Sequence, residues 1–394
     1  MGEELGTGGA AVAGDAWRSV PRPARPILRE LVTSGPQSRT TLARKLGLST
    51  GSLTRLTKPL LDAGLVVERA VEHDPVNGRP TRPLEVVADG AHFLGLKLTA
   101  DRLYGVVTNL RADVLAQHSV PLADPAPGEV VARIGGLAER LAAGDGRLAA
   151  AGLALGGDGH APAQVDEAEL LDSYQLGWTG VPVRRLVADR LGIPCVLKND
   201  VTALAYAHQW FGAVREVPDF ALVTVGSGVG YALFVHGREV RVTEADVGEF
   251  GHQIVDRGGP MCPTGHRGCV NAYATTGCLL LAAEQGLRRR VGFAELLALA
   301  EAGDPVCSAL VRQAAWALGR VVANVANVTL VKRVLLAGEA IDIVRLARAE
   351  LARGLAECRV APEAVVVTAE RHDFHEWARG AAVAAIRAHV SGGR

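Results

Sequence analysis

The chain has 394 residues, of which 48% are hydrophobic and 21% charged, and its formal net charge is zero. This length predicts two or three domains, and the composition is apolar enough to build cores, which excludes a disordered chain. The apolar runs are only as long as strands, and the N-terminus lacks the basic stretch and apolar block of a signal peptide. We therefore expect a cytoplasmic protein without a membrane segment, and its six cysteines are too scattered for a disulfide scaffold.

The neutral total hides an uneven distribution of charge. Residues 18–58 contain nine basic side chains and one acid, Glu30, so this segment carries +8 and the rest of the chain carries −8. A basic end on an acidic body indicates a module that binds a polyanion, although a solvated basic helix face explains the charge alone equally well. The nine basic residues are Arg18, Arg22, Arg25, Arg29, Arg39, Arg44, Lys45, Arg55 and Lys58.

The basic segment has the sequence signals of a helix-turn-helix. Residues 26–34 place apolar side chains at helical spacing, and residues 40–47 repeat the pattern and end on a glycine. A third helix is predicted from an N-cap at Ser49 or Thr50 to about Asp62, with leucines buried and hydroxyls and cations exposed. Two helices joined by a tight glycine turn, the second exposing such side chains, match the geometry that reads the DNA major groove.

The segment after the third helix is typical of a β-hairpin wing. An apolar strand at 65–71 precedes a turn-rich loop and a returning strand at 84–87, and arginines of this wing can reach phosphates or a minor groove. A small protein-interaction domain is the alternative, but the order of the elements together with the charge favours DNA. The predicted DNA-binding residues are Arg39, Thr40, Ser49, Thr50, Ser52, Thr54, Arg55, Lys58 and Arg79.

The rest of the chain contains the same strand–turn–strand unit twice. Strands predicted at 93–98 and 104–108 flank a five-residue turn, and strands predicted at 220–225 and 231–235 flank another. Amphipathic helices alternate with short apolar strands around both units. This pattern predicts a duplicated, two-lobe α/β body.

The two turns differ in their capacity to bind a phosphate. The second keeps glycines whose backbone amides can surround an anion, although a tight hairpin explains them as well. The first has no glycine to let the backbone approach a phosphate, and Asp101 adds a repelling charge. We therefore interpret the second turn as a vestigial phosphate loop. Its residues are Gly226, Ser227, Gly228 and Gly230.

Several motifs together point to a family. In the head they are LARKLGLSTGSLTRLTKPLLDAGLV and the GRP of the wing; in the body they are LGW, KNDVTALA, VGSGVG, EFGH, CPTGHRGC and LLAGE. With these motifs the chain, from about residue 24 to 388, resembles the repressor branch of the ROK family (repressors, open reading frames, kinases). The resemblance implies an α/β fold, with an N-terminal winged helix-turn-helix and a duplicated actin-like body of the sugar-kinase or ribonuclease H type. The expected division is a disordered tail at 1–17, the DNA-binding head at 18–90 and the ligand-sensing body at 91–394.

The resemblance also implies a sugar site. In ROK kinases an Asn-Asp pair binds sugar hydroxyls, and its aspartate deprotonates the attacking hydroxyl; here the pair is Asn199 and Asp200. Glu249 and His252 match further sugar contacts, and Asn271 stands where the family has an acidic ligand. Without the family, an Asx turn after a strand would explain the Asn-Asp pair.

Zinc is an open question at the same histidine. In the family this histidine binds zinc with three cysteines spaced Cys-x-Cys-x₄-Cys, and Cys262 and Cys269 match the outer two. Thr264 replaces the middle cysteine, and a hydroxyl is a poor zinc ligand beside thiolates and imidazoles. His266 can substitute, which gives His252, Cys262, His266 and Cys269. A zinc site and a metal-free loop held by packing therefore both remain open.

The altered first turn favours a regulator over an enzyme. The kinases carry Asp-x-Gly-Gly-Thr-Lys there, whereas the aligned residues 97–102 begin with a lysine and contain no glycine. Phosphoryl transfer depends on positioning and charge stabilisation, so we expect neither useful kinase activity nor bound ATP.

The predicted function is a DNA-binding transcriptional repressor of carbohydrate metabolism whose body senses a sugar or sugar phosphate. Its predicted partners are a double-stranded DNA operator, this effector and further copies of the chain, as a homodimer or a dimer of dimers. Two alternatives stay open. One is an active ATP-dependent sugar kinase with a fused DNA-binding head, and the other is a ligand-free interaction protein.

Overall fold

The structure, a computed structural model, describes residues 17, 19–73, 80–142, 148–156, 170–240 and 248–392. The predicted disordered tail falls outside these residues except for Trp17. Among the described helices, none has both the length and the apolar character needed to cross a membrane. The chain divides into two compact units: Met1–Leu155, Pro182–Arg215 and Trp377–Arg394 form unit 1, and Gly156–Val181 and Glu216–Glu376 form unit 2.

The described residues form α-helices in both units. In chain order the helices are α1 (Arg25–Ser34), α2 (Arg39–Leu46), α3 (Thr50–Asp62), α4 (Pro127–Leu141), α5 (Val183–Leu191), α6 (Asp200–Phe211), α7 (Val270–Ala274), α8 (Thr276–Leu287), α9 (Phe293–Glu301), α10 (Pro305–Thr329), α11 (Asp342–Leu346), α12 (Arg348–Glu357) and α13 (Phe374–Ser391).

The strands form two five-stranded sheets and three short pairs. In chain order they are β1 (Val66–Glu68), β2 (Glu72–His73), β3 (Pro80–Thr81), β4 (Leu84–Val86), β5 (His92–Leu98), β6 (Arg102–Thr108), β7 (Val114–Pro121), β8 (Leu148–Leu155), β9 (Leu171–Ser173), β10 (Trp178–Val181), β11 (Cys195–Asn199), β12 (Phe220–Val225), β13 (Val229–Val235), β14 (Arg238–Glu239), β15 (Arg333–Ala337) and β16 (Val366–Ala369).

The head has the predicted order of three helices and a wing. Ser38 and Ser49 cap α2 and α3, because their side chains accept hydrogen bonds from the backbone N–H groups of Thr41 and Ser52. Gly47 ends α2 in the left-handed conformation at φ 63°, which a glycine adopts without steric cost. The wing is the antiparallel pair of β1 and β4, extended by the β2–β3 pair.

The two five-stranded sheets confirm the predicted duplication. In unit 1 the order is β7-β6-β5-β8-β11, and in unit 2 it is β14-β13-β12-β15-β16. In both sheets the first three strands pair antiparallel, and the last two join in parallel. The same topology occurring twice in one chain is the signature of the two-lobe body inferred from the sequence.

The hairpin turns are tighter than predicted. The sequence suggested five-residue turns at 99–103 and 226–230, but β6 begins at Arg102 and β13 begins at Val229. The strand register continues to the ends of both hairpins: Leu98 pairs with Leu103, and Val225 pairs with Val229. Each turn therefore has three residues, which leaves fewer amides at its tip.

The core of unit 1 is built on close contact between its sheet and the C-terminal helix. A Cβ atom at Gly95 of β5 or Gly152 of β8 would collide with the backbone of Ala378 and Ala381 in α13. Glycine at these two positions therefore lets the helix lie directly on the strands. This contact sets the position of α13 against the end of β5, where the candidate site begins.

Candidate functional site

The exposed face of α3 carries most of the predicted DNA-binding side chains. Leu53 and Leu60 are buried against the rest of the head, while Thr54, Arg55 and Lys58 are exposed. Thr40, Ser49 and Thr50 are exposed as well, and Ser52 is half-buried. A helix with a buried apolar stripe and an outer face of hydroxyls and cations can contact base edges and phosphates together.

One position of the predicted buried stripe of α3 differs in the structure, where the next residue takes its place. Leu56 was expected in the buried stripe but is only half-buried, while Thr57 is buried and donates its hydroxyl hydrogen to the Thr54 carbonyl at 3.2 Å. The carbonyl of the preceding turn satisfies the threonine hydroxyl, so a polar residue fits the core face. The wing residue Arg79 lies outside the described residues.

Acidic residues of the wing form ion pairs with Arg39 of α2 and with two arginines of the wing. Arg39 forms an ion pair with Glu68 at 2.5 Å, and Arg82 lies 3.8 Å from the same carboxylate. Arg69 pairs with Glu85 at 3.4 Å. These pairs are partly exposed, so each stabilises the head only weakly and the arginines can exchange to phosphates.

Asn199 and Asp200 lie where strand β11 passes into helix α6. The Asn199 side chain caps the helix, because its oxygen accepts a hydrogen bond from the Val201 amide at 2.9 Å. Asp200 forms a hydrogen-bonded ion pair with the ammonium of Lys97 at the end of β5. The side chains of Lys97 and Asp200 are only 6% and 14% exposed. In the kinases an acid occupies the position of Lys97. Here the buried ammonium of Lys97 instead pairs with Asp200, the residue that matches the catalytic base of the kinases.

The first turn closes on itself. The Thr99 hydroxyl lies 2.9 Å from an Asp101 carboxylate oxygen and accepts a hydrogen bond from the Arg102 amide at 3.1 Å. Arg102 extends away to the hydroxyl of Ser119 at 3.3 Å. The turn thus carries the exposed carboxylate of Asp101, whose negative charge is unfavourable for a phosphate.

The backbone of the second turn binds a carboxylate from another part of the chain. The Ser227 amide donates to Glu339 at 2.8 Å, and a Cβ on Gly226 would collide with the same carboxylate. The Gly226 amide bonds the Gly228 carbonyl at 3.0 Å. Glu339 follows β15 in the LLAGE motif, and sequence reasoning did not assign it a role. Its carboxylate satisfies a turn amide that a phosphate would otherwise use.

Asn271 connects the second turn to the predicted sugar-contact segment. Its side-chain oxygen accepts a hydrogen bond from the Val229 amide at 3.1 Å. A Cβ on Gly251 would collide with the Asn271 side chain, so glycine there permits the close packing. Glu249 and His252 lie in a short 3₁₀ segment, Gly248–His252, which is fixed by stacking of Phe250 on Tyr231 at 4.3 Å.

A group of potential metal ligands forms beside this segment. The ligand atoms of His252, Cys262 and His266 all lie within 4.8 Å of one another. The two imidazole Nδ1 atoms are 3.0 Å apart, and the Cys262 Sγ lies 3.7 Å from the His252 Nδ1. Cys269 is fully buried in a small apolar cluster with Cys262 and Ala272. The group contains the predicted substitute His266, and its imidazole and thiol donors are the types that zinc prefers.

The pKa of the Cys262 thiol is lowered, which favours the thiolate. Burial alone would raise its pKa, but hydrogen bonds from the Thr264 hydroxyl and from the His266 and Thr264 amides dominate and lower the pKa to about 6. The Thr264 hydroxyl lies 3.0 Å from the sulfur. Burial raises the pKa of the Cys269 thiol. At neutral pH Cys262 is therefore the anionic member of the group, and Thr264 supports it from the position of the family's middle cysteine.

The loop that carries these ligands has a fixed backbone. The Val255 amide donates to the Gly268 carbonyl at 2.8 Å, and the Gly268 amide donates to the Pro260 carbonyl at 2.6 Å. Gly268 has φ 72°, and a Cβ there would collide with the Asp256 carbonyl. Only glycine fits this conformation without strain. The backbone therefore holds Cys262 and His266 together without requiring a third thiol.

These features correspond to a known family. A sequence model of the ROK family matches residues 93–388, and a model of the MarR family matches residues 23–79. The first match covers more than half of the chain. The chain belongs to the ROK family, with an N-terminal winged helix-turn-helix of the MarR type.

Its relatives include named repressors. The putative xylose repressor of Caldicellulosiruptor sp. strain Rt8B.4 is 25% identical over 257 residues, and the match covers 64% of each chain, just under two thirds. The xylose repressor of Bacillus subtilis strain 168 is 22% identical over 285 residues, which cover 71% of this chain and 72% of that one. The transcriptional dual regulator NagC of Escherichia coli K12 is 25% identical over 332 residues, 79% of each.

Solved structures share the fold. A ROK family transcriptional regulator described as a homolog of the E. coli MLC protein has a TM-score of 0.78 and 21% identity, and covers 97% of this chain and 98% of its own. A ROK glucokinase from Streptomyces griseus, solved with glucose and AMPPNP, has a TM-score of 0.62 and 22% identity over 74% of this chain and 98% of its own. The regulator matches the head and the body, which confirms the predicted fold class.

Proposed function

We propose that this chain is a transcriptional repressor of carbohydrate metabolism that binds duplex DNA and responds to a sugar or sugar derivative. The exposed face of α3, on a winged head joined to a ROK body, carries this proposal. The names of its relatives support it, since they include repressors named for xylose and N-acetylglucosamine. Because the target is chromosomal DNA, we infer a cytoplasmic protein. Two heads of a homodimer, or of a dimer of dimers, would bind half-sites about one DNA turn apart.

The DNA function is tested by selection from fragmented genomic DNA with the purified chain. We expect a small number of recovered sites, with half-sites about 10 base pairs apart, and binding that weakens steeply with salt. Recovery of fragments in proportion to the input, at low salt, would contradict the proposal. The genes beside the recovered sites would also narrow the choice of effector.

The sensing function is tested by thermal shift with D-xylose, D-glucose, N-acetyl-D-glucosamine and their phosphates. A sensor gains stability from a ligand that binds its folded state, with the gain rising with ligand concentration. The predicted ligand residues are Asn199, Asp200, Glu249, His252 and Asn271. An interaction protein without an effector would respond to none of these compounds.

We propose that the chain is not a kinase. Lys97 neutralises the carboxylate of Asp200, the first turn presents Asp101, and Glu339 satisfies an amide of the second turn. The first contact engages the candidate base, Asp101 adds a charge that repels a phosphate, and the third contact occupies an N–H group that a phosphate would use. We expect turnover of MgATP with the same sugars to stay far below ~1 s⁻¹, the low end for kinases. A coupled assay for ADP checks this, and turnover at or above that rate would overturn it.

We also propose a structural zinc site formed by His252, Cys262 and His266, with Cys269, which lies in one cluster with Cys262, as the fourth ligand. A bound zinc would crosslink the 3₁₀ segment to the loop 262–269 and stabilise both. Metal analysis after dialysis should find one zinc per chain, and His266→Ala should lose it. Thr264→Cys adds a thiolate at the position where the family has one, and we expect about tenfold tighter binding in chelator competition. Zinc-free protein whose melting temperature does not change with added zinc would favour the metal-free loop.

A further inference from the structure

Helix α6 runs from the Lys97–Asp200 pair to the DNA-binding head. Its first turn carries Asp200, which is paired with Lys97, and Asn199 caps it. Its last turn carries Trp210, which is only 2% exposed. With twelve residues the helix is about 18 Å long. A rigid element of this length has the predicted sugar residues at one end and an aromatic anchor at the other.

The anchor end of α6 contacts the DNA-binding head. The guanidinium carbon of Arg29 lies 5.8 Å from the centre of the Trp210 ring, within cation–π range. Arg215, which follows α6, donates to the carbonyl of Thr33 at 3.3 Å. Both Arg29 and Thr33 belong to α1, the first helix of the helix-turn-helix. The last turn of α6 and the segment that follows it therefore each contact α1 through one side chain.

The C-terminal helix α13 also contacts Lys97 at one end and the last turns of α6 at the other. At one end the Lys97 ammonium lies 5.3 Å from the centre of the Trp377 ring. At the other end, the guanidinium carbon of Arg387 lies 3.9 Å from the centre of the Tyr206 ring and 5.0 Å from that of Trp210. Arg387 also donates to the side-chain oxygen of Gln209 at 2.8 Å. Lys97 thus contacts the first end of both helices, and Arg387 binds their far ends together.

The two helices pack closely between these ends. A Cβ on Gly380 of α13 would lie 2.7 Å from the carbonyl oxygen of Ala203 in α6. Ala154, Ala203 and Ala381 form a fully buried cluster beside this contact. Small residues bring the helix backbones together, so α6 and α13 are closely packed along this stretch.

We infer that α6 and α13 transmit the state of the Lys97–Asp200 pair to the DNA-binding head through Trp210, Arg29 and Arg387. The inference rests on the proposed function. A sugar hydroxyl that bonds Asp200 competes with the Lys97 ammonium and changes the force on the first turn of α6. Since α6 contacts α1 directly, the orientation of the head changes with it. Arg29, Trp210 and Arg387 are positioning residues in this scheme, and none belongs to the predicted DNA-binding or sugar-binding residues.

A double-mutant cycle tests the inference without a sugar. The first change is the neutral pair, Lys97→Met with Asp200→Asn, which alters the contact between β5 and α6 and leaves no unpaired charge. The second change is Arg29→Gln at the exposed end of the route. The readout is the affinity of the full chain for a duplex recovered in the genomic selection. A matched control, Arg22→Gln, removes an equal charge from the exposed turn before α1.

The neutral pair should change DNA affinity by about fivefold in the wild-type and Arg22→Gln backgrounds. In the Arg29→Gln background the change should fall below twofold. Equal changes in all backgrounds, or no effect of the neutral pair, would overturn the inference while leaving the repressor proposal intact. Failure to recover any duplex would instead reject the proposed function itself.

Hydrogen exchange gives a second readout that needs no DNA. We expect the amides of α1, at 25–34, to exchange at a different rate in the neutral pair variant, and this difference to vanish when Arg29→Gln is added. Trp210→Phe, a conservative change within the core, should reduce the same difference. Unchanged exchange in α1 in every variant would contradict transmission through α6.

Discussion

Replacing Arg55 by alanine should lower the affinity of the chain for its selected duplex by about 5- to 160-fold. Arg55 is exposed on the outer face of α3, where an arginine can donate two hydrogen bonds to one guanine. Loss of such a contact costs about 1–3 kcal/mol and removes the preference for that base. Fluorescence anisotropy with the selected duplex and with duplexes altered at single base pairs measures both effects.

Lys58→Ala is the matched comparison for Arg55→Ala. Lys58 is exposed one turn further along α3 and is suited to a phosphate contact. Its removal should weaken binding to all duplexes about equally and lower the salt dependence by the equivalent of about one counterion. If both variants lose affinity equally for every sequence, α3 is not the recognition helix.

Replacing Lys97 by methionine should destabilise the folded chain by about 3–5 kcal/mol at neutral pH. The side chains of Lys97 and Asp200 are 6% and 14% exposed, so the change leaves a nearly buried carboxylate without its partner. It also removes the ammonium from the face of the Trp377 ring. Denaturant unfolding with unit 1 monitored separately measures the loss.

The double variant Lys97→Met with Asp200→Leu is the control for this prediction. Removing both charges replaces a buried ion pair by apolar side chains, which is often neutral or stabilising. We expect the double variant to recover most of the lost stability. A Lys97→Met variant as stable as the wild type would mean that the ion pair does not persist in solution.

Local elements of the fold were predictable from sequence because their signals are local. The predicted N-cap at Ser49 or Thr50, the glycine after α2 and the leucine stripe of α3 gave the helices of the head within one or two residues. The repeated strand–turn–strand unit gave the duplication. The turn lengths were overestimated because strand pairing continues into residues that the sequence pattern assigned to the turns.

The contacts that distinguish this site were not predictable because they join distant residues. Lys97 and Asp200 are 103 residues apart, and Ser227 and Glu339 are 112 apart. The sequence revealed that a cation had replaced the family's acid at 97, which signalled lost chemistry but not the new ion pair. The contact of Glu339 was not predictable either. Its position after Gly338 in the sequence gave no indication that its carboxylate binds the Ser227 amide.

The most direct test of the account is an anisotropy titration of the selected duplex with the full chain at 150 mM salt. It is repeated with each sugar and sugar phosphate, in the presence and absence of MgATP. We expect specific binding in the nanomolar range, and at least one sugar that changes the affinity fivefold or more without nucleotide. Binding no tighter than to random DNA, or a sugar effect that appears only with MgATP and is accompanied by ADP, would contradict it.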